Sequence, residues 1–377
     1  MTAVTVAFWL AVGLLVYAQL GYALLLALLH KLVRRRRVEP AWEGEPPTIT
    51  AVIAAYNEQR VIARRIANLR ELEYPQERLQ VIVASDGSTD ATAAQARAAG
   101  ADLVLELPRG GKIRAQDAAV AQATGELLVF SDANALWEPD ALVRLVHAFA
   151  DPRVGYACGY VHFTDHAGAG NQEGLYWRYE MWLRQMESEL SSVTSGNGAI
   201  YATRRDAYLT VDPLAGHDLS FPFNMVKCGL RAVYVADARA TEKMAPTIEG
   251  EFSRKRRMAR GTWPTLFTGG LMSPRGYTPL YALMILSHRI LRYMVPFLHV
   301  LMLVTNLLLL GHGAIYAFAL APQAALYLGA VAAPRAPLRP LLMARYYVVT
   351  NSALAVGLWD WWRGYRAPTW ETVEGTR

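Results

Sequence analysis

The 377-residue sequence predicts an α/β domain with a largely parallel sheet, flanked at its N- and C-terminal ends by membrane-spanning helices. Three observations lead there. No charged residue occurs from Val4 to Leu29, and about 20 apolar residues suffice for a helix to cross a bilayer core. Between residue 48 and about residue 240, long apolar runs give way to short β-rich stretches alternating with helical patterns, as in successive βαβ units. A second apolar block begins near Leu280. With 53% hydrophobic and 19% charged residues, the chain is too apolar for an ordinary soluble protein and too poor in charge for a disordered one.

The chain opens Met1-Thr2-Ala3 without the basic start of a cleaved signal peptide, so Val4–Leu29 is expected to stay as an anchor. His30, Lys31 and Arg34 to Arg37 follow it. Such a cluster is retained on the cytoplasmic side, so residues 1–37 read as a helix with its basic flank and residues 38–245 as a cytoplasmic domain. The formal charge is +6, with many cations beside apolar runs. That placement favours anionic lipid or phosphate-bearing ligands over nucleic acid. Cys158 and Cys228 are too few for a disulfide framework or zinc site and read as core thiols in a reducing compartment.

Strands are expected at 48–55, 80–84, 103–106, 127–130 and 155–161, with helices at 58–69, 91–99, 113–123 and 140–150. Residues 246–292 carry a basic segment and then Tyr281–Arg292, whose His288, Arg289 and Arg292 among apolar residues suit an interfacial helix. Tyr293–Leu310 and Ala314–Ala333, split by Gly311-His312-Gly313, predict a hairpin of two crossings within the 293–377 region. Leu341–Trp359 is long enough to span but carries Arg345 and Asn351. If it spans, parity places the tail outside, whereas Arg363, Arg366 and Arg377 argue for the inside. A re-entrant or interfacial last segment reconciles the two.

Ligands on such sheets bind beyond the carboxyl ends of the strands. Tyr56-Asn57-Glu58 follows the first strand, Ser85-Asp86-Gly87-Ser88-Thr89-Asp90 the second, and Ser131-Asp132-Ala133-Asn134 the fourth, while Gly110-Gly111-Lys112 precedes a helix. Each has a plain reading as a turn or helix cap. Lys112 differs, because a cation at a helix start opposes the helix dipole unless an anion compensates, and a diphosphate would. In an extended segment positions 132 and 134 point the same way and can face one hard cation.

Taken in order, AAYNE, SDGSTD, GGK and SDAN resemble the glycosyltransferase family 2 domain of the GT-A, Rossmann-like nucleotide-sugar-binding fold. The likeness continues through Ser195–Ala202, His217-Asp218 and the basic Arg254–Trp263, covering roughly residues 48–265. The flanking helices resemble those of membrane-embedded members that make or extend polysaccharides. The resemblance implies that Tyr56, Asn57, Glu58, Asp86, Lys112 and Asp132 bind the donor. Asp132 and Asn134 would hold Mg²⁺ or Mn²⁺, the second acid of the family's Asp-x-Asp being an amide here. Asp218 corresponds to the family's catalytic base. His217 replaces the preceding acid, and orienting Asp218, binding acceptor or capping a helix are open to it. Gly196 and Asn197 would border the acceptor.

Processive members carry Gln-x-x-Arg-Trp near the basic segment. This chain has Arg257-Met258-Ala259-Arg260-Gly261 with Trp263 displaced by two. A diphosphate role is implied for Arg257, Arg260 and Trp263, against lipid-headgroup binding as the alternative. The expected protein is an inverting enzyme of the inner cell membrane, multi-pass, with its catalytic domain in the cytoplasm. It would move a sugar from a nucleotide sugar, a UDP-sugar, to a lipid-linked or polysaccharide acceptor. Membrane lipids are partners, nucleic acid is not, and a homo-oligomer is an option. A processive synthase is the runner-up, and a transporter or an inactive binding module are rivals from other classes.

Overall fold

The computed structural model describes residues 1–33, 42, 44–164, 171–243 and 248–365. The basic run Arg34–Arg37 and the tail residues Arg366, Trp370 and Arg377 lie outside the described residues. Helix α1 runs unbroken over Thr2–Val33, with a wide turn at Tyr17–Gly21. Strand β1 (Ile49–Ala55) is buried at every residue, as expected of a strand covered on both faces. It is followed by α2 (Ile62–Arg70), β2 (Leu79–Asp86), α3 (Thr92–Ala98), β3 (Leu103–Leu107), α4 (Lys112–Val120) and β4 (Leu127–Asp132). The pairs β1–β2, β1–β4 and β2–β3 are parallel. This half of the sheet matches the expected strands and helices to within a few residues at each end.

The second half departs from a purely parallel sheet. After β5 (Leu136–Trp137), α5 (Ala141–Ala148) and β6 (Val154–Thr164) come α6 (Asn171–Leu190), β7 (Tyr201–Arg204), α7 (His217–Lys227) and β8 (Arg231–Lys243). The strand order is β3-β2-β1-β4-β7-β6-β8-β5. Strand β7 is antiparallel to both neighbours, and β6 pairs β8 in parallel with shifts of register. Order reverses between β1 and β4, where open sheets form a crevice at the strand ends. Two buried apolar clusters, one built on Ile53, Val83 and Leu142 and the other on Val52, Phe130 and Tyr201, fill the faces of the sheet. Cys158 is buried, whereas Cys228 is exposed at the end of α7, which corrects its expected core position.

Helix α8 (Ile248–Phe267) carries the basic segment. Helices α9 (Pro279–His312), α10 (Ala314–Ala332) and α11 (Arg339–Trp362) follow and, with α1, are long and apolar enough to cross a membrane. The expected interfacial helix Tyr281–Arg292 is instead the first part of α9, continuous with its apolar part. Tyr281, Met284, His288 and Arg289 are buried there: His288 pairs with Glu180 and Glu187 of α6, Arg289 donates to Thr194 and Tyr281 donates to Val193 O.

Candidate active site

The strand ends, α4, the β7–α7 region and α8 enclose a cleft of about 550 Å³. At the end of β1, Asn57 takes the left-handed conformation (φ 52°). Its Oδ1 accepts from Thr89 N at 2.8 Å, while Ser88 Oγ accepts from Asn57 N at 3.1 Å. Asn57 thus fastens the β1 and β2 ends together. Glu58 is buried and lines the cleft. Tyr56 lies under Arg109, whose guanidinium carbon sits 3.0 Å from the ring centroid.

Asp86 is 1% exposed and accepts from the N–H groups of Gly110 and Gly111 at 2.6 and 3.0 Å. Its carboxylate therefore shapes the glycine loop, and it is not among the residues that line the cleft. Gly111 has φ 96°, a conformation that strains other residues. That turn starts α4 at Lys112, so the cation stands at a helix N-terminus inside the cleft. The ammonium of Lys112 pairs with Asp132 at the end of β4.

Asn134 Nδ2 donates to Glu242 Oε1 at 3.2 Å. Leu136 pairs with Thr241 across β5 and β8, which brings Glu242 beside the β4 end. Desolvation, then repulsion from Asp132, pushes the Glu242 carboxyl up to about 7. Sequence reasoning missed Glu242, because nothing local to Thr241-Glu242-Lys243 shows which strand it will join. The acidic group at the site therefore holds Asp132, Glu242 and the amide of Asn134. Among the described residues, no group of three or more His, Cys, Asp and Glu is arranged to hold a metal alone.

His217 and Asp218 open α7 and line the cleft. Burial, and secondly Lys112, bring the His217 imidazole down to about 3, so the ring is neutral. Gln116 Nε2 donates to the Tyr201 hydroxyl at 3.2 Å, and that hydroxyl shares a hydrogen bond of 2.8 Å with His217 Nδ1. Phe221 stacks on the ring and Phe130 meets it edge-on. Burial lifts the Asp218 carboxyl above its ordinary value, against the opposing pull of Lys112. Asp218 O accepts from Gly196 N at 2.6 Å, which ties the Ser195–Gly198 wall to α7. Asn197 lines the cleft but spends its amide on that wall, donating to Gly159 O at 2.6 Å and accepting from Ile200 N at 2.9 Å.

Arg257 and Arg260 of α8 reach the cleft wall. Trp263 does not, which corrects its assignment to a donor site. It is 0% exposed, donates to Leu354 O at 2.9 Å and stacks on Phe267, with Tyr293 and Phe297 at its edge. A further group unforeseen from sequence lies where α1, α6 and α9 meet. Glu187, fully buried, accepts from Tyr22 Oη at 2.7 Å, from Thr194 Oγ1 at 2.9 Å and from His288 Nδ1 at 2.6 Å. Arg292 pairs with Glu180. Arg289 Nε donates to Thr194 Oγ1 at 2.8 Å, just before the Ser195–Gly198 wall. Arg289 and Tyr293 also line the cleft, so α9 forms part of the site.

A sheet with this strand order, with acids and amides at its carboxyl edge and a glycine loop starting a helix beside them, is the GT-A fold of glycosyltransferases. Residues 50–209 match the Glycosyl transferase family 2 model, and the chain carries a domain of that family. Among curated relatives, an N-acetylglucosaminyltransferase of Rhizobium leguminosarum bv. viciae is 27% identical over 241 residues, 58% of this chain and 56% of the relative. A beta-monoglucosyldiacylglycerol synthase of Synechocystis sp. is 30% identical over 171 residues, 40% of this chain and 34% of that protein. The chain spans somewhat more than half the length of the N-acetylglucosaminyltransferases it matches. A solved mannosyltransferase from Pyrobaculum calidifontis, in complex with GDP-Man and Mn²⁺, shares the fold with TM-score 0.73 and 22% identity, covering 95% of this chain and 99% of that one.

Proposed function

We propose that the protein is an inverting glycosyltransferase that moves a sugar from a nucleotide-sugar donor, a UDP-sugar, to a lipid-linked or polysaccharide acceptor at the membrane surface. One observation carries this reading: Asp218, with its raised carboxyl, shares a cleft with the Lys112–Asp132 pair, the basic helix α8 and the membrane-helix residues Arg289 and Tyr293. The curated relatives named N-acetylglucosaminyltransferase and beta-monoglucosyldiacylglycerol synthase support it.

In this account Asp218 takes the proton of the acceptor hydroxyl as its oxygen bonds to the anomeric carbon. The bond from that carbon to the diphosphate breaks on the opposite face, and its electron pair leaves with the phosphate. Lys112, Arg257 and Arg260 neutralise the charge that develops there. His217, its imidazole brought down to about 3, is too weak a base to compete with Asp218 for the proton.

The Asp132 carboxylate, the Asn134 amide oxygen and the neighbouring Glu242 are hard oxygen donors that would hold Mg²⁺ or Mn²⁺. Such an ion would supply further charge neutralisation at the diphosphate. The mannosyltransferase of like fold was solved with Mn²⁺.

In this reading the catalytic domain lies in the cytoplasm and the apolar helices α1, α9, α10 and α11, long and apolar enough to cross, sit in the inner membrane. Helix α9 starts against α6 and leaves the domain, and His299 meets Tyr347 of α11 at 2.9 Å. Helix α11 then returns, so that Leu354 and Asp360 touch α8. The end of α11 is thereby brought back against the catalytic domain, while α10 packs along α9 and α11, with Gln323 donating to His299 O at 2.9 Å and Gly329 beside Leu341 and Ala344. Membrane lipids would surround the bundle.

The test is a panel of UDP- and GDP-sugars offered to detergent-purified protein with lipid extracts, with and without Mn²⁺. Nucleoside diphosphate release and a product of inverted anomeric configuration are expected. Retention of configuration, or no release with any donor, would refute the reading.

A further inference from the structure

The single acid of α11 is Asp360, close to the helix end and 8% exposed. A carboxylate so buried is costly unless cations hold it, and here two do. Arg256 donates from Nε at 2.7 Å and Nη2 at 2.8 Å, while Arg260 donates from Nε at 2.8 Å. The helices that carry these residues are locked together one turn away. Trp263 donates to Leu354 O at 2.9 Å, and any side chain at Gly357 would collide with Ala259.

The two arginines differ in what else they reach. Arg260 lines the cleft and Arg256 does not. Asp360 holds Arg260 through Nε, one of several donors on the guanidinium, and the Tyr365 ring lies 4.0 Å from its central carbon. An edge contact and a face contact together fix the plane of the group. One carboxylate against two guanidinium groups also leaves a net positive charge at the cleft wall.

We propose that Asp360 is a positioning residue for the donor site, by which the last helix of the chain presents Arg260 to the diphosphate of a nucleotide ligand. The inference rests on the donor reading given above. A guanidinium already oriented loses little rotational freedom when the anion arrives, so removing its anchor weakens binding. The opposite outcome, tighter binding once Arg260 is released, would make Asp360 a competitor of the phosphate.

The experiment titrates UDP and GDP separately, in the presence of Mn²⁺, into detergent-purified full-length protein and its Asp360→Asn, Arg260→Ala and doubly substituted variants. Asp360→Asn is expected to raise the dissociation constant about tenfold, as losing one hydrogen bond to a charged group does. The double variant should be no weaker than Arg260→Ala alone. In turnover, KM for the donor should rise while KM for the acceptor holds, a split that general loosening of the bundle would not give. If Asp360→Asn does not fold, Asp360→Glu moves the same carboxylate by one methylene and should weaken binding about threefold. Unchanged or tighter binding in the folded Asp360 variant overturns the inference and leaves the donor reading standing. Wild-type protein that binds neither nucleotide overturns both.

Discussion

Asn134 donates its side-chain amide to Glu242 across 3.2 Å, joining the end of β4 to the end of β8. The site thus has an amide where a second acid would stand, with a carboxyl from a distant strand beside it. Replacing Asn134 by Asp would put a third carboxylate beside Asp132 and Glu242. Like charges this close repel without a cation and bind one more strongly with it. Asn134→Asp is therefore expected to melt at a lower temperature in chelator and to gain more than wild type from added Mn²⁺. Thermal unfolding with and without Mn²⁺ checks this, and an unchanged Mn²⁺ increment would count against the site.

As the proposed base, Asp218 should set the acid limb of the pH profile. Burial raises its carboxyl above the ordinary value, and only the ionised form accepts a proton. Turnover should therefore fall as pH decreases through that raised value. The limb should lie at a higher pH than the roughly 3.9 of a free aspartate. A pH–rate profile at saturating donor and acceptor measures it, and full activity down to pH 4 would remove Asp218 as the base.

Trp263 belongs to the packing between α8, α9 and α11, not to the cleft. Trp263→Ala should cost about 3–5 kcal/mol of stability, the usual loss for a large buried aromatic. The folded fraction should bind UDP or GDP as wild type does. A large loss of nucleotide affinity without loss of stability would return Trp263 to the donor site.

The carboxyl of Glu187 is held down to about 2, with His288 the largest favourable partner working against the cost of burial. Because the folded value lies below the roughly 4.3 of a free glutamate, this stability is fully present above about pH 5 and is lost as pH falls toward 2. Glu187→Gln leaves the cations of α9 without that charge and should cost about 3–5 kcal/mol at pH 7. Its stability should also vary less between pH 5 and 3. Acid unfolding of the two proteins followed by circular dichroism tests this, and superimposable curves would contradict the role of the network.

The parallel half of the sheet was legible because its strands are short, mostly apolar runs that end in polar turns. Strand β8 was not, because Arg231, Asp237, Arg239, Glu242 and Lys243 break its apolar pattern and its register with β6 shifts. The sequence motifs named the chemical groups of the cleft, including Lys112, Asp132, His217 and Asp218. They could not show that Asp86 and Asn197 turn their side chains into the scaffold, since that depends on partners such as Gly111 and Gly159. Tyr281–Arg292 read as interfacial because His288, Arg289 and Arg292 stand among apolar residues. The acids that hold them, Glu180 and Glu187, come from α6. A lone Asp360 in an apolar helix was a usable signal, since ionisable groups in such helices usually have a partner.

The most direct test of the central claim, that Asp218 is the base of a sugar transfer in this cleft, compares wild type with Asp218→Asn. With the best donor from the panel, nucleoside diphosphate release is followed in detergent while donor affinity is measured by calorimetry. The account predicts a fall in turnover of at least about a hundredfold, the scale of a lost general base, with donor affinity within about twofold of wild type. Wild-type turnover in Asp218→Asn would contradict it.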